Sequence, residues 1–237
     1  MRRMPKRISI AIVGVLLVLV WCAPGFAQDQ TREDFWPEVD GYHGLGERMR
    51  LMLMASGDRS QEADLHQATV GAMFDYFAKP FARDWLKERP DAEKKHYLTF
   101  RAGYRYTWNL KDSAKPYQEN RLLVEGTARA ALHRFFFLNR SRVEWRDIND
   151  SWSWRYRNRT RVEGDVSLGK RAATPYLMAE FFYDSRYDEW NRQRYYAGAD
   201  WPIFRRAVLD TYYCRQNDSE SSPEHVNAFG LTLRLYF

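Results

Sequence analysis

Arginine occupies every second position from Arg155 to Arg161 in the stretch SWSWRYRNRTRVEGD, and Glu163 closes the series. The chemistry this spacing offers is ionic recognition, because the planar guanidinium fork holds carboxylates and phosphates bidentately. In a strand the side-chain period of two puts Arg155, Arg157, Arg159 and Arg161 on one face. Trp152, Trp154, Tyr156, Asn158, Thr160 and Val162 fall on the other. The same polar register recurs at Arg101, Arg105, Arg121, Glu125, Arg140, Arg142, Glu144, Glu180, Arg192, Arg194, Asp210 and Arg234. Acids and bases on neighbouring strands would pair across whatever space these faces enclose. Bases outnumber acids in the series, so small anions are the ions such a space would favour.

Covalent or acid–base catalysis would need a nucleophile and a base within hydrogen-bond reach. The five histidines, His43, His66, His96, His133 and His225, fall at expected strand ends or turns, with no serine or acid at strand-neighbour spacing. If 132–146 and 151–165 form a hairpin, Asn139 and Ser141 meet Tyr156, Asn158 and Thr160 on an otherwise apolar face. His133 shares that face but stands eight residues from Ser141, roughly 26 Å along a strand and too far for proton transfer. A contact with a helper protein or with a second copy is the simpler reading, and no catalytic residue is assigned. The stretch YDSRYDEWN, 183–191, reads as an outer loop whose Asp184, Asp188 and Glu189 would hold a divalent ion only weakly. No glycine-rich phosphate loop, metal-ligand spacing or calcium loop is present, so neither metal nor cofactor is expected.

The elements that carry these residues are strands. Period-two alternation runs from end to end, most clearly at LTFRAGYRYTW, 98–108, and in the closing FGLTLRLYF. Further strands are expected near 34–44, 47–56, 65–77, 117–130, 132–146, 151–165, 174–184, 190–201 and 204–216. Turn chemistry separates them at GLGE, GKRAATP and NDSESSPEH. The stretch FARDWLKERPDAEKK, 81–95, breaks the alternation and holds either one short helix or a solvated linker. These are eleven candidates, whereas a bacterial barrel with both termini in one compartment has an even number. Twelve strands are therefore expected, with ten as the alternative.

The chain opens with Arg2, Arg3, Lys6 and Arg7 ahead of a 13-residue apolar run from Ile8 to Val20. That run is too short to span a bilayer as a helix. Small residues follow, so 1–27 reads as a secretory signal and 28–237 as a single domain. The mature part balances 33 basic against 31 acidic residues, a net charge of only +2, which removes the compositional case for nucleic-acid binding. Only Cys214 remains in it, so neither an intramolecular disulfide nor a multi-cysteine metal site can form. Its 26 arginines dwarf its seven lysines, and all seven lysines fall at expected turns or loops.

Alternation alone does not say which face meets water. A soluble barrel would have to crowd Trp108, Trp145, Trp152, Trp154, Phe181, Tyr183, Trp201, Tyr213 and Phe237 into one closed interior at normal packing density. A membrane barrel places them against lipid, with rings near strand ends forming interfacial girdles. The chain ends on an aromatic, with apolar residues at every second position before it: Phe229, Leu231, Leu233, Leu235 and Phe237. This resembles the C-terminal strand signal by which bacterial outer-membrane barrels are recognised for assembly. The expected fold is all-β, an antiparallel transmembrane β-barrel with short periplasmic turns and longer outer loops.

The segments FWPEVDGYHGLGERMRL, RNRTRVE and PYLMAEFFYDSRYDEW and the closing strand resemble a bacterial family catalogued as domain of unknown function 2490. The resemblance implies an outer-membrane barrel and supplies no activity. The expectation is thus a Gram-negative outer-membrane protein, either a structural barrel or a narrow pore with an Arg/Glu-lined lumen. The alternatives are an enzyme modifying lipid or lipopolysaccharide and an assembly or adhesion partner using loops such as 109–117 and 215–225. Expected partners are outer-membrane lipids and lipopolysaccharide, the barrel-assembly machinery and small anions.

Overall fold

The computed structural model describes residues 31–60, 65–80, 92–110, 117–132, 135–168, 171–221 and 224–237. The expected signal, His133 and most of the 81–95 connection lie outside the described residues. Strands form where alternation is strongest: β1 (Thr31–Gly44), β2 (Met49–Ser60), β3 (Leu65–Pro80), β4 (His96–Asn109), β5 (Gln118–Leu132) and β6 (Phe135–Ile148). They continue with β7 (Ser151–Gly164), β8 (Val166–Leu168), β9 (Arg171–Asp184), β10 (Glu189–Phe204), β11 (Ala207–Asp218) and β12 (His225–Tyr236). No helix among the described residues is long and apolar enough to cross a membrane.

Each strand pairs antiparallel with its sequence neighbour, except that β7 passes to β9 and the three-residue β8 folds back on the start of β9 as a side ribbon. The sheet closes on itself because β1 pairs with β12, and that one seam is parallel, running from Thr31 opposite His225 to Tyr42 opposite Tyr236. Of the twelve strands, eleven therefore form the ring and β8 stands outside it. The expectation of an even number assumed antiparallel neighbours throughout, and a parallel seam removes that condition. It also puts residue 31 and Phe237 at opposite ends of the barrel. Phe237 donates its backbone N–H to the Tyr42 carbonyl at 2.8 Å, which anchors the last residue to β1.

The two faces of the sheet differ as the alternation requires. Outside, Leu53, Val70, Phe100, Leu122, Val124, Leu177 and Phe229 are exposed along the middle of the wall. Exposed rings sit at its ends, Trp152 and Trp190 at one and Phe204 and Phe237 at the other. Inside, charged side chains are as buried as a soluble core: Asp75, Glu144 and Asp184 are fully excluded from solvent. A tyrosine-rich patch of Tyr176, Tyr196 and Cys214, with Tyr212 packed against it, fills the β9–β12 side. There Gly230 faces Tyr212 across the β11–β12 ladder, and a Cβ on it would lie 1.9 Å from the ring. Only glycine leaves room for that tyrosine to lie inward.

Candidate functional site

The interior is a lattice of shared carboxylates, each held by two or more cationic side chains. Glu180 on β9 accepts from Arg157 Nη2 at 2.8 Å, from Arg159 at 3.1 Å and from the Tyr196 hydroxyl at 3.2 Å. Glu144 on β6 lies 2.9 Å from Arg157, 3.3 Å from Arg142 and 3.8 Å from Arg121. Glu125 on β5 takes Arg142 at 2.5 Å and Arg140 at 3.2 Å. These links run around the wall because register sets like charges opposite one another, Arg142 facing Arg157 and Arg140 facing Arg159. Like charges so placed repel, and the interleaved glutamates offset the repulsion.

Further lattice points lie toward the two ends. At the end opposite Phe237, Asp184 binds Arg155 at 2.7 Å, Arg146 at 3.0 Å and Arg186 at 2.9 Å. Glu119 binds Arg146 at 2.5 Å and Arg121 at 2.8 Å, and Arg192 pairs with Asp218. Asp184 was expected in an outer loop, yet it points inward as the last inward position of β9, and Glu189 accepts from Ser219 at 2.8 Å. Outside the strands, hydrogen bonding to Asp184 raises the Arg186 guanidinium above its ordinary value. Burial, with the Glu119 carboxylate next in effect, pushes the Tyr117 phenol up.

Toward the Phe237 end, Asp200 and Asp210 face each other in register on β10 and β11. Arg234 bridges them at 3.0 and 2.5 Å, and Arg161 reaches Asp200 and Glu163, both at 2.8 Å. The β3–β4 connection ends in a 3₁₀ turn, Ala92–Lys95, which inserts Lys94 into this cluster, 2.9 Å from Asp200 and 3.0 Å from Glu163. The sequence reading assigned Lys94 to a helix or a solvated linker. Two buried carboxylates draw it inward instead. On the adjoining wall Asp75 holds Arg101 at 2.6 Å and Arg50 at 2.6 Å.

Two cavities remain within this lattice, of about 370 Å³ toward the Phe237 end and about 400 Å³ toward the other. They share Trp36, Arg121, Arg157 and Arg194, so they abut at the middle of the barrel. Cationic groups outnumber carboxylates in the lining of both. Arg105 and Arg194 differ from the other ladder arginines in having no carboxylate within ion-pair distance among the described residues. Arg194 donates to Gln216 at 2.7 Å and lies over the Trp36 ring at 4.7 Å. Arg105 reaches only the Met73 sulfur, at 3.8 Å, and its Nε is buried with no acceptor.

Every charged residue assigned to the ladder from sequence thus either enters this ion-pair lattice or lines a cavity. Sequence reasoning missed Lys94, Arg50, Asp75, Arg146, Asp184 and Asp200 as members. Arg146 and Asp184 carried a usable signal, since each continues the inward period of Glu144 and Glu180. On the closing strand Phe229 and Phe237 are exposed on the outer wall, while Leu231, Leu233 and Leu235 sit half-buried beside Pro37, Val39 and Gly41 at the seam. The Asn139–Ser141 patch does assemble on the outer wall. Asn139 donates to Thr160 at 3.0 Å, and Ser141 bonds Tyr156 and Asn158, each at 3.1 Å. Neither partner of Ser141 is a general base.

The family model described as protein of unknown function DUF2490 matches residues 66–227. No curated protein matches the chain. Among solved structures, LpxR from Salmonella typhimurium aligns with 9% sequence identity and a TM-score of 0.46, over 79% of this chain and 83% of that one.

Proposed function

The chain belongs to the DUF2490 family, whose description names no activity, and from the geometry of its interior we propose that it is a bacterial outer-membrane barrel acting as a narrow, anion-favouring pore. The observation that carries the reading is the contrast between the two faces of one sheet. An outer wall bearing Leu122 and Leu53, each 55% exposed, suits acyl chains, whereas the inner wall is ionic. Backbone polar groups are satisfied in lipid only by helices or closed barrels, and this sheet is closed. Eleven ring strands enclose more than the side-chain-filled eight-stranded case and less than a porin. On this reading the abutting cavities, in whose linings cationic groups outnumber carboxylates, form a path that attracts anions and repels cations.

On this reading the exposed apolar wall contacts lipid and lipopolysaccharide, and the alternating closing strand is what the barrel-assembly machinery engages. An enzymatic role finds no support in the outer patch, because the hydrogen bonds of Ser141 go to a tyrosine and an asparagine. The test is recording from the purified barrel in a planar bilayer under a salt gradient. The expected result is a small unitary conductance whose reversal potential reports anion preference. Cation preference would overturn the reading, and an electrically silent barrel would leave a structural wall protein in its place.

A further inference from the structure

The lattice neutralises nearly every interior arginine but leaves one gap, and the gap is built. Arg105 faces Arg121 directly across the β4–β5 ladder, an arrangement that repels unless a counter-charge intervenes. Arg121 has Glu119 at 2.8 Å, whereas among the described residues Arg105 has no carboxylate within ion-pair distance. On the other side Arg105 faces Gly71 of β3, where a Cβ would come within 2.9 Å of the arginine Cγ and 3.0 Å of the Tyr104 carbonyl oxygen. The missing side chain at Gly71 is what lets Arg105 lie along the wall. A guanidinium nitrogen buried without an acceptor, as the Arg105 Nε is, carries a desolvation cost that an ordinary ion pair would remove.

Arg194 lines the same cavity, its Nε committed to a neutral glutamine and its plane stacked between Trp36 and Phe182. Among the described residues its remaining N–H groups have no carboxylate within ion-pair distance. Glu38 lines this cavity too, near enough to Arg105 to act on its charge, and among the described residues it makes no hydrogen bond or contact ion pair. Two guanidinium groups with no carboxylate at contact distance, and one carboxylate with no cation at contact distance, therefore line a space of about 370 Å³, within the range of small-ligand pockets.

We propose that this cavity is a binding site for a protonated oxyanion of the phosphate class, held by Arg105 and Arg194 through its oxygens and by Glu38 through its hydroxyl proton. The assignment deepens the pore reading by naming the solute class the interior selects. A carboxylate can accept a hydrogen bond from hydrogen phosphate but only repels fully ionised sulfate of the same size, so Glu38 would discriminate between them. Bidentate guanidinium contacts supply the affinity.

The experiment is calorimetric titration of the refolded mature barrel in detergent with inorganic phosphate and, separately, with sulfate. Phosphate is expected to bind at least about tenfold more tightly than sulfate, and Arg105→Met to weaken phosphate by at least about tenfold, the loss of one charge-assisted contact. Glu38→Gln is expected to erase the preference between the two ions. Gly71→Ala keeps every charge but displaces Arg105, and is expected to weaken phosphate as well, which guards against misfolding of the Arg105 variant. The compact gel migration of each unboiled variant verifies that it has folded. No phosphate binding, equal binding of both ions by the wild type, or unchanged binding by both Arg105→Met and Gly71→Ala would overturn the assignment. Planar-bilayer recording separates the two readings. Anion current that phosphate neither blocks nor slows would sink the site and spare the pore, whereas phosphate binding in a silent barrel would do the reverse.

Discussion

Replacing Glu180 by glutamine removes one charge and almost no volume from a carboxylate shared by two arginines and a tyrosine. Glu180 is 2% exposed, and it accepts from Arg157, Arg159 and Tyr196. Glutamine keeps one acceptor oxygen and turns an NH₂ donor toward a guanidinium. Arg157 retains Glu144 at 2.9 Å, but among the described residues Arg159 has no second carboxylate within ion-pair distance. The variant thus strands a buried cation, a change that costs about 3–5 kcal/mol, or roughly two to four powers of ten in the folding constant. The assay is urea unfolding of the barrel in lipid vesicles, followed by tryptophan fluorescence and by the migration of unboiled protein. Glu47→Gln, on the exposed β1–β2 turn, is the control and should stay within about 0.5 kcal/mol of wild type. Adding Arg159→Met to Glu180→Gln should recover part of the loss, because the stranded charge goes with it. If Glu180→Gln matched the turn control, or if the second substitution added its full cost instead of recovering any, the interior ion pairs would not be holding the barrel.

Lys94→Ala removes the one inserted lysine, while Asp200 keeps Arg161 and Arg234 and Glu163 keeps Arg161; stability should fall by no more than about 2 kcal/mol, and planar-bilayer recording should show a higher conductance with weaker anion preference. A photoactivatable carbene reagent confined to the bilayer should mark peptides through Leu122, Phe181 and Phe229, and heavy labelling at Arg155 or Arg157 would turn the barrel inside out. Phe237→Ala removes an exposed side chain, 69% accessible, so unfolding should shift by less than about 0.5 kcal/mol while the yield in the outer-membrane fraction drops; equal yield would argue against a role for the last residue in assembly.

The wall was legible because a strand with one wet and one apolar side writes a period of two, and arginine in the polar phase marks that side even where rings flank it. The pairs across the wall were not legible. Asp75 meets Arg50 and Arg101, and Asp200 meets Lys94, from positions 25, 26 and 106 residues away. Which acid finds which base depends on strand tilt and stagger, and periodicity carries neither. Lys94 lay hidden for a further reason, since its turn belongs to a segment with no alternation and its place is set by carboxylates distant in sequence. The parallel seam was invisible because alternation reads the same in either strand direction, so a count of strands could not fix the parity of the ring.

The charged ladder also answers why so ionic an interior suits a fold whose buried apolar residues form only small clusters. Ion pairs are a weak source of net stability when compared with well-packed apolar groups. Their worth here lies in what they forbid. A slip of β7 by one residue against β6 and β9 would turn Arg155, Arg157, Arg159 and Arg161 outward and their aromatic neighbours inward. Each arginine moved to the lipid face near the bilayer midplane costs about 2–4 kcal/mol. Four together come to the order of 10 kcal/mol, comparable with the whole stability of a domain. The register seen on both sides of β7, Arg157 opposite Arg142 on one and Phe182 on the other, is therefore fixed by the penalty on every neighbouring register more than by the strength of its own pairs. An interior of serine and threonine would satisfy water equally well and would leave the strand free to slide.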